Sequence, residues 1–388
     1  MIRPQARPRA RAGPLRVVLA GGGTGGHIYP LVAVAEAATG AAEFLFVGGG
    51  AMEAHLVPPT GIRFEAVPVG AVVGRRPDRA AASLLRTAVG VWKAIGLLRR
   101  FGAQVVVSTG GYAGYPTARA AGYAGVPLVL IEPNAVPGLA NRALGRRAQR
   151  VCVAFAHTAS AFPDNALWTG APVRASLRSG DAQRARQFYG LEAGRRTVLV
   201  IGGSQGAASV NRATRRAVEI LWERGDLQIL HQTGTARAGL AEQSAAPLQV
   251  SERRPASSDR GLLYRQVEYL DPIADAYALA DLVVARAGAV TCAELTALGL
   301  AAVLVPLPHS AGHQVHNARA LEDAGAAVVL PDPQLTGERL AGVISELLAD
   351  DGRLARMREA SRASGRPDAA FRIWDAIRAV AQRGNSGG

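Results

Sequence analysis

Two segments of the chain share one pattern, in which an apolar run of strand length meets a glycine-rich turn and then a helical stretch. They are LRVVLAGGGTGGH, which begins at residue 15, and RRTVLVIGGSQGA, which begins at residue 195. A strand that turns into a helix through glycines is typical of the first unit of a doubly wound parallel sheet, because glycine permits the tight turn and close packing of helix on strand. One such unit in each half of the chain predicts two separate sheets.

Apolar runs of strand length alternate with alanine-rich helical windows along the rest of the 388 residues. This alternation is typical of parallel sheets covered by helices, and the length is too great for one ordinary core. We therefore predict an α/β protein of two Rossmann-like domains that face each other across a cleft. The expected bounds are 1–14 for a basic disordered tail, 15–173 for the first domain, joined by a C-terminal helix at 366–384, and 174–365 for the second.

Composition narrows the class of protein. Cys152 and Cys292 lie in apolar settings and indicate reduced core residues, not a disulfide framework or a metal site. The net charge of +14 suits an anionic partner, although an arginine-rich composition alone explains it equally well. The sequence has no zinc-ligand spacing, RNA-binding aromatic motif or recognition-helix signature, so no nucleic-acid partner is expected. No run reaches the roughly 20 apolar residues of a spanning helix, and the N-terminus is a poor signal peptide.

The two glycine turns, at 21–26 and 202–206, would expose backbone N–H groups at a helix start, which favours phosphate. A tight turn without a ligand is the alternative. A dinucleotide site would also need an acidic residue at the end of the second strand. Three glycines follow that strand instead, and Glu53 comes too late. The first turn also ends in His27, where cofactor binders usually have a small residue, so it is not expected to bind a dinucleotide.

The second half supplies the missing acid. Glu294 follows a strand and a glycine by about one helical turn, and there its carboxylate could accept hydrogen bonds from sugar hydroxyls; an exposed surface position is the alternative. The stretch at 308–317 is polar and rich in histidine. It has no carboxylate or cysteine to complete a metal site, so hydrogen bonding to a polyhydroxy ligand is favoured.

Several short blocks, in order from about residue 15 to residue 327, together resemble the MurG family of bacterial glycosyltransferases. The blocks are GGGTGGHIYP, GGYAGYP, EPNAVPGLANR, GAPVR, GGSQGA, HQTG, RAGAVTCAEL and HQVHNA. The family adds N-acetylglucosamine to lipid I in peptidoglycan synthesis. The resemblance therefore implies a glycosyltransferase B type fold, an inverting mechanism and UDP-N-acetylglucosamine as donor. It also explains His27, because the family's first loop faces the lipid-linked acceptor and its diphosphate.

The resemblance implies a binding role for each matching position. The acceptor loop contains Thr24, Gly25 and Gly26. The UDP portion of the donor would be bound by Ser204 and Gln205 at the phosphates, Arg174 near the nucleotide, backbone of Leu270 at the uracil with Tyr269 beside it, and Glu294 at the ribose. Backbone at Ala289 and Val290 would support the leaving diphosphate, and the hydroxyls of the transferred sugar would meet Asn134, His313 and Gln314.

The implied reaction is attack of an acceptor hydroxyl on the anomeric carbon as UDP departs, which needs a general base and stabilisation of the departing charge. His27 is the predicted base, because imidazole titrates near neutral pH. Ordering the loop or binding the acceptor diphosphate is its alternative role, and Glu132 is the reserve base. The sequence has no Asp-x-Asp motif. No cofactor or protein-held metal is therefore expected. The negative charge that develops on the departing UDP would instead be stabilised by helix N-termini, Ser204 and basic side chains.

Two departures from the family pattern leave other functions open. Ile131 and Pro133 stand where the family usually has histidine and glutamine, and residues 310–312 replace a segment that is often acidic. The alternatives are a UDP-sugar transferase with a different lipid or small acceptor, and a non-catalytic nucleotide-sugar binding protein.

The window at 83–101 is amphipathic, with Trp92 beside Lys93 and the basic residues Arg75, Arg76 and Arg79 shortly before it. A helix that faces the core is the ordinary interpretation of such a pattern. Trp and basic residues also suit a membrane interface. We predict that this helix and the loop at 74–79 touch anionic lipid, which would place the protein peripherally on the cytoplasmic face of the cell membrane.

Overall fold

The computed structural model describes residues 13–50, 52–70, 77–203, 205–234, 251–252, 261–308 and 312–385. Within them the chain forms two α/β units, one in each half, and each unit has its own seven-stranded sheet. This arrangement confirms the predicted fold class.

The first unit is built around a parallel sheet. Its strands are β1 (Leu15–Ala20), β2 (Ala42–Gly48), β3 (Arg63–Ala66), β4 (Val105–Ser108), β5 (Leu128–Glu132), β6 (Arg150–Val153) and β7 (Ala166–Trp168). Its helices are α1 (Gly25–Ala37), α2 (Glu53–Leu56), α3 (Pro77–Phe101), α4 (Gly111–Ala124) and α5 (Leu139–Gly145). The strand order is β3-β2-β1-β4-β5-β6-β7. The order reverses beside β1, so the turn after β1 lies at the crevice where such sheets bind ligands.

The second unit repeats this plan. Its strands are β8 (Arg196–Ile201), β9 (Leu227–Gln232), β10 (Ser251–Glu252), β11 (Leu263–Val267), β12 (Leu282–Ala285), β13 (Ala302–Leu304) and β14 (Ala327–Val329). Its helices are α6 (Ala182–Tyr189), α7 (Ala208–Ile220), α8 (Ile273–Leu279), α9 (Ala289–Leu298), α10 (His313–Asp323), α11 (Gly337–Ala349) and α12 (Asp351–Ser364), and the chain ends with α13 (Ala369–Asn385). The order is β10-β11-β9-β8-β12-β13-β14, with only the β10–β11 pair antiparallel among these described strands.

Both faces of the first sheet are apolar because helices cover both. Val17 and Leu19 of β1 face a core layer that includes α1 and α13, whereas Val18 and Ala20 face the layer with α3 and α4. Alternate residues of a strand point to opposite faces. A strand covered on both sides therefore needs an unbroken apolar run, which is what the sequence VVLA provides.

Helix α13 packs against the first unit, although it follows the second unit in the chain. Ile373 is fully buried in the layer beside α1, and the ring centroids of Trp374 and Phe44 lie 6.3 Å apart. The chain therefore crosses between the units twice. The two crossings touch, because a Cβ added to Gly170 would stand 2.3 Å from the Cβ of Arg366.

Helix α3 differs along its length. Its C-terminal end is buried against the sheet through residues such as Leu98 and Phe101. The segment 84–92 before that end exposes large apolar side chains, which are Leu84, Leu85, Val89 and Trp92, with exposed fractions of 40–75%. By length and composition alone, the stretch Ala80–Phe101 is long and apolar enough to cross a bilayer. Only 22% of its most apolar 18 residues are buried inside the protein, so it is not an ordinary core helix. The expectation from the sequence that no run reaches this length is therefore wrong for this helix.

Candidate active site

The turn between β1 and α1 presents an open helix end. Thr24 precedes α1 as its N-cap residue, is exposed, and makes no capping hydrogen bond with its side chain. Gly25 and Gly26 form the first turn of the helix and are half-buried. The first N–H groups of a helix have no partner within it and carry a partial positive charge. This end of α1 is therefore suited to an anionic group.

His27 follows in the same turn and packs against the start of α4. A Cβ added to Gly111 would stand 3.1 Å from the Nε2 atom of His27. The backbone oxygen of His27 accepts a hydrogen bond of 2.8 Å from the Thr109 hydroxyl. Burial lowers the pKa of His27, because it penalises the charged imidazolium, and the nearby Glu132 carboxylate offsets only part of this effect. The imidazole is therefore neutral at neutral pH, as a proton acceptor must be.

Glu132 lies at the end of β5 and is 1% exposed. Its Oε1 accepts hydrogen bonds from the backbone N–H and the side-chain amide of Asn134, at 2.9 and 3.1 Å. Its Oε2 accepts from the Gly138 N–H and the Asn141 amide, both at 2.9 Å. A carboxylate with four such donors fixes the loop that follows β5. Action as the reserve base would require it to give up one of these hydrogen bonds.

Two residues of α10 join that loop to the second unit. Asn317 is fully buried; its Oδ1 accepts from the Ala135 N–H at 2.8 Å, and its Nδ2 donates to Asn134 Oδ1 at 3.3 Å and to the Ala287 oxygen at 3.2 Å. His313 Nδ1 lies 3.0 Å from the Val136 oxygen. A carbonyl oxygen only accepts, so Nδ1 carries the hydrogen.

Asn317 is a candidate site residue that the sequence analysis did not name. It lies in the block HQVHNA, four residues after His313 and so on the same face of the helix. This spacing of four residues from His313 is the feature of the sequence that could have identified Asn317 as a site residue. Gln314 instead stabilises the start of α10, where its Oε1 accepts a hydrogen bond of 2.9 Å from the Leu307 N–H.

A second cluster joins the units at Glu294. This carboxylate is 6% exposed, accepts a hydrogen bond of 2.8 Å from the Tyr277 hydroxyl, and lies 3.9 Å from an Arg174 guanidinium nitrogen. Burial raises the pKa of Glu294, against the opposing effects of the Tyr277 hydrogen bond and the Arg174 charge. The alternative that Glu294 is an exposed surface residue is therefore wrong, because its helix turns it toward α8 and not toward solvent.

Arg174 connects this carboxylate to the first unit. Its guanidinium carbon lies 4.3 Å from the ring centroid of Tyr29, two residues after His27 on α1. Tyr29 also hydrogen-bonds with the hydroxyl of Tyr269, and burial together with this neighbour raises the pKa of Tyr269. Leu270, which follows Tyr269, is 3% exposed. The predicted uracil and ribose residues therefore lie close to the helix that carries the predicted base.

The remaining donor positions lie at helix starts. Ala289 and Val290 begin α9 and are half-buried. Gln205 is exposed in the turn after β8, where the Gly206 N–H donates to the Gly203 oxygen at 2.9 Å. Ser204 lies outside the described residues, as do residues 310–312 except for Gly312.

Among the described residues, no three His, Cys, Asp or Glu side chains lie close enough together to hold a metal ion. Cys152 and Cys292 are free and buried. Burial raises the pKa of each thiol to about 12, so neither is a reactive thiolate at neutral pH.

Known proteins resemble the chain over nearly its whole length. Residues 17–153 match the glycosyltransferase family 28 N-terminal domain, and residues 197–373 match the family 28 C-terminal domain. A UDP-N-acetylglucosamine–N-acetylmuramyl-(pentapeptide) pyrophosphoryl-undecaprenol N-acetylglucosamine transferase of Desulforudis audaxviator (strain MP104C) is 42% identical over 378 residues, which cover 95% of this chain and 100% of the relative. The enzyme of the same description from Halothermothrix orenii is 37% identical over 91% of this chain and 95% of its own.

A solved structure extends the likeness to three dimensions. The crystal structure of Acinetobacter baumannii MurG has a TM-score of 0.69 and 27% sequence identity. The match covers 94% of this chain and 99% of that one. The similarity therefore includes both units of the fold as well as the sequence blocks.

Proposed function

The chain belongs to the MurG family of N-acetylglucosamine transferases, and from that membership and the cleft we propose its reaction. It transfers N-acetylglucosamine from UDP-N-acetylglucosamine to the 4-hydroxyl of the N-acetylmuramyl group of lipid I and forms lipid II in peptidoglycan synthesis. One observation carries the proposal beyond membership: the buried Asn317 joins the two units beside Asn134, one of the residues expected to bind sugar, and His313 of the same helix is near enough to His27 to affect its pKa.

His27 is the proposed base. The acceptor oxygen forms a bond to the anomeric carbon from the face opposite UDP, and its proton passes to the imidazole. The bond between that carbon and the UDP oxygen breaks, and its electron pair leaves with UDP, which inverts the anomeric centre. The imidazolium that forms is stabilised by the charge of Glu132, because that carboxylate favours protonation of His27. Glu132 itself supports this step through charge and loop position.

The departing UDP gains negative charge that the protein must stabilise. The start of α9 at Ala289 and Val290 supplies backbone N–H groups and a helix dipole for this purpose, and Gln205 lies in the turn that precedes α7. We propose that Ser204 joins them at the phosphates. Glu294 keeps acceptor capacity on Oε1 for the ribose hydroxyls. We propose that these groups act without a protein-held metal, so that EDTA leaves the rate unchanged.

The transferred sugar is expected to lie against Asn134 and His313. In the tautomer whose Nδ1 donates to the Val136 oxygen, His313 Nε2 can accept a hydrogen bond from a sugar hydroxyl. Gln314 Oε1 accepts one hydrogen bond from the Leu307 N–H, and this bond fixes the orientation in which the amide can meet the sugar.

The family departures do not favour the two alternative functions. Ile131 is 1% exposed and packs in the core layer of the first sheet. Pro133 lines a cavity of about 470 Å³ that reaches between α9, α10 and the chain crossings. With these two residues in place, Glu132 still accepts four hydrogen bonds and Asn317 still makes three.

We further propose that the segment 84–93 of α3 contacts anionic lipid on the cytoplasmic side of the membrane, where lipid I is presented. Its apolar side chains are 40–75% exposed while Arg86 and Lys93 lie among them, a combination that binds a charged bilayer surface. The loop at 74–79 has no described side chains. The protein should sediment with phosphatidylglycerol vesicles at low salt, and Leu85→Ser with Trp92→Ser should abolish this. Sedimentation that the double variant retains would contradict the contact.

UDP release from UDP-N-acetylglucosamine, with and without a soluble lipid I analogue, tests the reaction. Release that depends on the analogue and is lost in His27→Ala supports the proposal. Donor binding without release would indicate a different acceptor or a binding protein, and release that ignores the analogue would indicate hydrolysis.

A further inference from the structure

Glu53 is a buried acid for which the reaction above has no use. It begins α2, three residues after the last of the glycines that follow β2, and is 0% exposed. Burying a carboxylate is unfavourable unless hydrogen bonds or charges compensate for the lost water. Glu53 lies near the carboxyl end of β2, on the side of the first sheet where a ligand would bind. Its burial there therefore needs an explanation.

The side chain ties two glycine turns together. Glu53 Oε1 accepts a hydrogen bond of 2.9 Å from the Gly23 N–H and one of 3.2 Å from the Gly49 N–H. The first N–H belongs to the turn after β1 and the second to the turn after β2. One oxygen atom thus fixes the ends of two neighbouring strands relative to each other.

The turn after β1 is shaped around this carboxylate. Gly22 has a φ of +135°, and a Cβ added there would stand 1.6 Å from Glu53 Oε1. Only glycine lets the backbone pass so close. On the other side, a Cβ added to Gly23 would stand 2.7 Å from the ring of Tyr112. Gly23 is therefore enclosed between the carboxylate and the tyrosine.

The contact also determines which N–H groups remain for a ligand. The Gly23 N–H is bonded to Glu53, so it is not free to bind an anion. The N–H groups of Gly25 and Gly26, at the open end of α1, remain available. Glu53 Oε2 is buried and has no hydrogen-bond partner among the described residues. The hydrogen bonds of this carboxylate to the described residues are therefore made through Oε1, which binds the two glycine turns.

We propose that Glu53 is a positioning residue for the acceptor. It holds the glycine turn so that the start of α1, and His27 with it, meets the acceptor diphosphate in one fixed geometry. This role rests on the proposed function, because it assumes a lipid diphosphate at that helix end. It assigns Glu53 no contact with substrate and no part in proton transfer.

The test compares Glu53→Ala and Glu53→Gln with a control, Asn165→Ala. Asn165 donates to the Gly145 and Ala148 oxygens in the same unit, before β7 and so at the opposite end of the sheet. Glu53→Ala should raise the KM for a soluble lipid I analogue about tenfold, because two hydrogen bonds to the turn are lost. The KM for UDP-N-acetylglucosamine should change less than twofold. Glu53→Gln keeps one accepting oxygen, so its KM for the lipid I analogue should lie close to that of the unaltered protein and well below that of Glu53→Ala.

Hydrogen exchange gives an independent readout. Peptides that contain residues 21–27 should exchange faster in Glu53→Ala than in the unaltered protein, and not in the Asn165→Ala control. Equal rises in both KM values, or unchanged exchange of the turn, would overturn the proposal. If the unaltered protein shows no turnover with the analogue, the proposed function fails instead, and the exchange comparison still decides whether Glu53 holds the turn.

Discussion

Removal of the Asn317 side chain should weaken catalysis without weakening UDP binding. In Asn317→Ala the Ala135 N–H and the Ala287 oxygen lose the partner that joins the two units. An unsatisfied buried polar group costs about 1–3 kcal/mol. Because water from the cleft can replace part of the loss, we take about 1 kcal/mol for each group. If the bridge between the units is needed only in the arrangement that binds the sugar, the sum of about 2 kcal/mol falls on that state and corresponds to a roughly 30-fold fall in kcat/KM for UDP-N-acetylglucosamine.

Steady-state kinetics and calorimetry with UDP together test this prediction. UDP lacks the sugar that Asn134 and His313 are expected to bind, so its affinity should stay within twofold. Asn165→Ala, which loses two hydrogen bonds of its own but lies away from the cleft, should keep its kcat/KM. An unchanged kcat/KM in Asn317→Ala, or an equal loss of UDP affinity, would refute the reasoning.

The remaining predictions concern protonation. If neutral His27 is the base, the acid limb of kcat/KM should lie below pH 6.5, and Glu132→Gln should move it lower, because the carboxylate favours the imidazolium; a limb above pH 6.5 would contradict this. Burial lowers the pKa of His231 to about 3. The unfolded chain therefore binds the extra proton below pH 6.5, and the free energy of unfolding should fall by about 2 kcal/mol between pH 6 and pH 4.5. Urea titrations should show no such difference in His231→Gln, and an identical fall in that variant would contradict it.

The structure gives the physical reason for the His231 prediction. Its Nε2 lies 3.0 Å from Asn211 Oδ1, which accepts, and its Nδ1 lies 2.8 Å from the Tyr264 hydroxyl. The neutral ring donates through Nε2 and accepts through Nδ1. A second proton would place a donor against the tyrosine and a charge in a site that is 0% exposed.

The strands and glycine turns were predictable from the sequence because their signals are local. Strands covered on both faces need apolar runs such as VVLA, and turns with positive φ such as Gly23 and Gly203 need glycine. These patterns lie within a few residues, and so they predicted two sheets and the cleft between them.

The contacts that build the site were not predictable in this way. Asn317 and Ala135 are 182 positions apart, and Glu53 and Gly23 are 30 apart; no periodic pattern links such pairs. Glu294 could equally have been a surface residue, because the sequence does not show that its helix faces Tyr277. In α3, one amphipathic pattern covers both the exposed segment at 84–92 and the buried C-terminal end, and only packing on the sheet distinguishes them.

The most direct test of the central claim follows the sugar itself. The protein is incubated with labelled UDP-N-acetylglucosamine and a lipid I analogue in EDTA, and the lipid-linked product is isolated and its anomeric configuration read by NMR. We predict one labelled sugar on the 4-hydroxyl per UDP released, with the configuration inverted relative to the donor. Free labelled sugar, or a product with retained configuration, would contradict the account.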